Sequence, residues 1–142
     1  EQWFCDKCGR LIETPDEGYV LWRDENNRIC NFRIIHQTRC DDNALGDASM
    51  HLSAFLGEEG INSLMSLLSL GRVKLNSGQK RRVSIDLDEF VDFFRRVQVR
   101  YYEEARRKFR DPNILQYFAD ANELTPYSQS MLKRIVEGKI PN

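Results

Sequence analysis

No apolar run in the 142-residue chain approaches the roughly 18 residues that a membrane-crossing helix requires. The opening residues also lack a signal-like apolar stretch. The expectation is a cytoplasmic protein with no membrane partner. Histidine is scarce, with two residues, and neither charge sign dominates: the net charge is −1. With 41% hydrophobic and 30% charged residues, this balance excludes a disordered acidic or basic chain and predicts a folded core. Also missing are G-x-x-x-x-G-K-[ST], G-x-S-x-G and H-E-x-x-H, which removes the phosphate-cradling loop, the nucleophile elbow and the zinc-protease helix. The sequence therefore predicts a protein that is not an enzyme.

Charge is uneven along the chain. Residues 1–48 hold six Lys or Arg against ten Asp or Glu, whereas residues 71–110 hold twelve against six. Blocks of mixed charge are the usual exterior of amphipathic helices. Concentrated cations also suit phosphate, whose counterions they release on binding.

Four cysteines are present, Cys5, Cys8, Cys30 and Cys40. In "CDKCG" the first two are spaced C-x-x-C and followed by Gly9, the form of a zinc knuckle, in which a glycine permits the left-handed turn after the second thiolate. A thioredoxin-type motif would instead follow a strand and open a helix. Downstream, "GYVLWRDENNRICNFRIIHQTRC" predicts a hairpin: Tyr19 to Trp22, a turn at "DENN", and a return strand from Ile29 to Ile35. Alternation places Cys30, Phe32 and Ile34 on one face of that strand. The hairpin returns His36 to the knuckle, and Cys40, four residues on, shares its side of a helical turn. Cys5, Cys8, His36 and Cys40 are the predicted ligands of one Zn2+. Three thiolates and an imidazole close a tetrahedral shell without a site for water, which makes the zinc structural. Four thiolates with Cys30 in place of His36, or a pair of disulfides, remain alternatives. Knuckle, hairpin and two further ligands resemble the layout of treble-clef zinc modules over the first forty residues. The chain is also similar to small bacterial proteins that begin with a "CDKCG" knuckle, a likeness that implies no activity.

From residue 49 the apolar period lengthens towards 3.6. Leu52, Phe55, Leu56, Ile61, Leu64, Met65 and Leu68 form one stripe that ends at Gly71. The polar "RVKLNSGQKRRVSI" predicts a loop or short hairpin. Asp86, with Glu89 three residues later, predicts a capped helix burying Leu87, Phe90, Val91, Phe94 and Val97, with Phe93 off that stripe. The carboxylates Asp86, Asp88, Glu89 and Asp92 suit a helix start better than catalysis. Further helices are predicted on Tyr102, Ala105 and Phe109, after Asp111-Pro112, and after a Thr125 cap. The expected fold class is α+β: a zinc-bound, treble-clef-like N-terminal β-hairpin at 1–48 packed on a mainly α-helical domain at 49–142. The expected role is that of a protein-interaction or regulatory module. The alternative is nucleic-acid binding through the basic 72–110 region, with Lys80, Arg81, Arg82, Arg95 and Arg96 as phosphate contacts.

Overall fold

The computed structural model of the chain describes residues 1–26, 28–82 and 84–141. Asn27, in the expected "DENN" turn, and Val83, in the expected loop, lie outside the described residues. The fold is mixed α+β, and the chain divides into two compact units, Glu1–Gln98 and Val99–Asn142.

The first unit is built on the hairpin of β3 (Gly18–Glu25) and β4 (Arg28–His36), whose antiparallel register runs from Gly18 opposite His36 to Glu25 opposite Arg28. Before it, β1 (Trp3–Phe4) and β2 (Leu11–Ile12) form a two-stranded ladder, Trp3 opposite Ile12. Two edge strands extend the hairpin into a sheet ordered β5-β3-β4-β6: β5 (Ala48–His51) is antiparallel to β3, and β6 (Ser84–Ile85) is parallel to β4. The helices of this unit are α1 (Gly57–Leu68), α2 (Gly71–Asn76) and α3 (Leu87–Gln98).

The ladder between β3 and β4 slips by one residue, so that Leu21 faces Arg33 but Arg23 faces Cys30. Asn31 takes up the slip at φ 58°, a left-handed conformation that asparagine tolerates better than most side chains. Past this bulge the alternation inverts. Ile29 joins Phe32 and Ile34 in the core, while Cys30 is buried without belonging to it.

Helix α3 starts on the same bulge. Asp86 caps it by accepting the Glu89 N–H at 3.1 Å, as predicted, and donates its own N–H to the Ile29 carbonyl. Glu89 does not reach back to close a capping box; its carboxylate accepts the Asn31 N–H at 2.7 Å. The face that α3 buries is Phe90, Phe93, Arg96 and Val97, so Phe93 belongs to the core and Leu87, at 60% exposure, does not. The spacing 90–93–97 is itself helical, and Phe93 stacks on Phe32 at 4.9 Å with the rings 6° from parallel. Asp86→Ala should cost about 1 kcal/mol, the usual value of a lost cap, while Asp86→Asn should melt like the parent. Thermal denaturation of the two variants checks this.

The second unit carries α4 (Tyr102–Arg106), α5 (Pro112–Tyr117) and α6 (Gln129–Val136) around Tyr102, Ala105, Ile114, Leu132 and Ile135. Asp111 caps α5, and Ser128 rather than Thr125 caps α6, because residues 125–127 first make a 3-10 turn. The division at 98/99 replaces the expected boundary at 48/49. Residues 49–98 stay with the first 48 because β5 and β6 complete their sheet and α3 covers it.

Candidate metal centre

The knuckle hangs between β1 and β2. The Cys5 N–H donates to the Arg10 carbonyl and the Gly9 N–H to the Cys5 carbonyl, both at 2.9 Å, and Gly9 sits at φ 75°. This turn aims the backbone N–H groups of Lys7 and Cys8 at Cys5 Sγ, 3.4 and 3.5 Å away. His36 arrives as the last residue of β4. Cys40 follows through a tight turn in which Thr38 is left-handed and the Cys40 N–H returns to the His36 carbonyl at 3.2 Å. The helical turn expected at His36–Cys40 is a single turn that no helix continues: residues 37–47 contain no helix, and the chain enters β5.

One donor atom from each of Cys5, Cys8, His36 and Cys40 lies within 4.8 Å of all the others, a group that could hold a metal ion. His36 Nδ1 is 3.4 Å from Cys8 Sγ and 3.7 Å from Cys40 Sγ. A tetrahedron with metal–sulfur bonds near 2.3 Å and metal–nitrogen bonds near 2.0 Å has a nitrogen–sulfur edge of about 3.5 Å, so these two His36 edges have the length an ion would give them. His36 Nε2 is 2.9 Å from the Leu11 carbonyl. Placing the ring proton there makes Nε2 the donor and leaves the Nδ1 lone pair for the thiols, the usual support for a metal-binding imidazole.

The electrostatics favour a cation. Burial pushes the Cys5 thiol up, but the N–H groups of Cys8 and Lys7 and bonds from His36 outweigh it, and its pKa is lowered. Cys8 is lowered by the Arg10 backbone N–H first, with help from its thiol neighbours and the Arg39 charge. Cys40 is raised by burial, then by its hydrogen bonds and charge repulsion with Cys5 and Cys8. Three thiolates crowded around one point repel, and a divalent cation removes the conflict. Cys5, His36 and Cys40 are buried; only Cys8 is exposed. No disulfide joins any of the four cysteines, all of which are free, and Cys30 lies outside the cluster.

Two further residues hold the centre in place, and neither was predicted. Asp6, between Cys5 and Cys8, donates its N–H to the Ile34 carbonyl at 2.8 Å and accepts the Ile34 N–H on Oδ2 at 2.7 Å. This fixes the knuckle to β4 two residues before His36. Arg96, on α3, donates from Nη1 to Asp6 Oδ2 at 2.7 Å and from Nη2 to the Phe4 carbonyl at 3.1 Å. The Arg96 carbonyl in turn accepts the Trp3 indole N–H at 2.9 Å. Arg96 is 3% exposed and cannot serve as a phosphate contact. Of the other expected contacts, Lys80 and Arg81 are exposed, Arg95 is half-buried, and Arg82 is half-buried with an ion pair to Asp24 at 4.0 Å.

Comparison with protein-family models, curated proteins and solved structures returns no match to this chain. Among the described residues, no helix is long and apolar enough to cross a membrane.

Proposed function

We propose that Cys5, Cys8, His36 and Cys40 bind one Zn2+ as a closed structural site, and that the rigid knuckle and hairpin serve as a protein-interaction module without catalytic chemistry. The observation that carries this reading is the convergence of four protein donors within 4.8 Å, with the His36 ring oriented by Leu11. Thiolate and imidazole are the donors zinc prefers, and four of them leave no open position for a substrate or an activated water. The zinc ties the β1–β2 knuckle to the end of β4, so the exposed surface around Cys8 is presented in one conformation. A cytoplasmic location agrees with reduced cysteines held by metal rather than by disulfides. Nucleic acid is the weaker alternative, because Arg96 is committed to Asp6 and Arg82 leans on Asp24.

Metal analysis of the purified protein should return close to one equivalent of zinc per chain, and Cys8→Ser should lose most of it. Cobalt(II) in its place should give the intense visible bands of a tetrahedral thiolate site. Full zinc retention by Cys8→Ser, or an octahedral cobalt spectrum, would sink the assignment. A pull-down with the zinc-loaded protein, repeated after nuclease treatment, tests the partner class: a partner that survives the nuclease is a protein.

A further inference from the structure

Helix α1 has two apolar faces. Leu64 is fully buried and Leu67 packs against the core, but Ile61, Met65 and Leu68, spaced four and three apart, form a second stripe that is 39%, 53% and 39% exposed. Among the described residues, none of the three belongs to the core cluster or to the side chains packed against it. The stripe also has electrical polarity. Glu58 and Glu59 lie in the first turn of α1, whereas α2, which carries Arg72 and Lys74, begins two residues after its end. Residues 69–82 contain five Lys or Arg and no Asp or Glu. Among the described residues, none of these four charged side chains has an ion pair. Helix α2 buries no residue at all, and Val73 at its centre is 83% exposed.

An apolar stripe that is acidic at one end and basic at the other complements a copy of itself turned end for end. We propose that this face is a homodimer interface, with two α1 helices antiparallel about a two-fold axis close to Met65. An axis through Met65, in the middle of the Ile61–Met65–Leu68 stripe, brings the acidic start of each α1 towards the basic segment that follows the end of the other. Each self-complementary contact is then made twice, as two-fold symmetry requires. A uniformly anionic lipid surface would repel the Glu58–Glu59 end, which is why the second copy is preferred over a membrane. A twelve-residue helix is about 18 Å long, which places the contact at the small end of specific interfaces and makes the dimer concentration-dependent.

The test is sedimentation velocity on the zinc-loaded full chain over a dilution series. The parent should pass from monomer to dimer with rising concentration. Met65→Asp, a charge buried at the dyad, should weaken the dimer by about tenfold or more. Reversing Glu58 and Glu59 to lysine, or Arg72 and Lys74 to glutamate, should each weaken it, and all four reversals together should restore it. That restoration is the decisive reading, because a fold defect would accumulate rather than cancel. A parent that stays monomeric throughout, a dimer indifferent to Met65→Asp, or a fourfold variant no better than either pair would overturn the proposal. So would a monomer that instead co-sediments with phosphatidylglycerol vesicles, which would assign the face to lipid.

Discussion

Removing the metal with a chelator should unfold the knuckle and lower the melting temperature of the protein by more than any single core substitution. Structural zinc contributes an apparent 10–16 kcal/mol to small zinc-finger peptides near neutral pH, because a formed site scarcely exists in the unfolded chain. Apart from the bonds that Trp3, Phe4 and Asp6 make to Ile34 and Arg96, little else holds the N-terminal segment: β1 and β2 are two residues each, and their buried side chains are Trp3 and Ile12. The aromatic packing of Phe32, Phe55, Phe90 and Phe93 does not depend on the ligands, so the loss should be graded. Hydrogen exchange should rise first in residues 1–13 and around Cys40, with β3, β4 and α3 following only partly. Trp3 should shift its fluorescence to the red as its indole leaves Arg96. Acid should reproduce the effect, since protons compete with the metal for thiolate and imidazole; affinity must fall as pH falls. Unchanged melting and exchange after chelation of a protein shown to hold one equivalent of zinc would remove the metal from the account of stability.

Local signals in the sequence found the four residues that the structure brings together, and the structure shows which signals were local. "CDKCG" specifies its own turn, and the alternation of Tyr19 to Trp22 and Ile29 to Ile35 specifies a hairpin whose return must end near its start. The position of His36 followed from those two facts alone. The bulge was less legible, because Asn31 reads as an ordinary strand residue until its left-handed φ and the Glu89 carboxylate that accepts its N–H are seen. Strand β5 gave no apolar alternation to read: its four residues are half-buried or exposed, and it is a strand only because β3 offers an edge. Helix α2 falls where the sequence predicts a loop or short hairpin for a related reason, since a helix with no buried face leaves no stripe. Asp6 and Arg96 were out of reach for the plainest reason. They stand 90 residues apart, and pairing between them depends on α3 packing against β4 so that Arg96 reaches the knuckle, which no local pattern encodes.

That pair supports the second large effect. Arg96→Met should destabilise the protein by about 3–5 kcal/mol, the cost of leaving one partner of a buried ion pair behind. Asp6, whose side chain is 19% exposed, reaches some water, so the lower end of the range is expected. The methionine keeps much of the volume, which separates the electrostatic loss from a cavity. Arg96→Lys should not rescue, because the guanidinium uses two nitrogens in different directions, one on the Asp6 carboxylate and one on the Phe4 carbonyl, and an ammonium is a single point charge. For a unit of 98 residues the loss corresponds to a fall in melting temperature of roughly 10 °C or more. The consequence reaches the metal. With Arg96 gone, the Asp6 carboxylate loses the charge that holds it against the Ile34 N–H, and the spacing between Cys5, Cys8 and His36 loosens. Metal affinity should then drop by about 10–100-fold, as it does when outer partners of a metal centre are removed. Competition with a chromophoric chelator measures that drop, with Lys80→Ala, an exposed cation on the loop before β6, as the control that should leave both melting and affinity unchanged. Arg96→Met with parental zinc affinity and a parental melt would show that the knuckle is set by its ligands alone; a lower melt with parental affinity would confine Arg96 to the core.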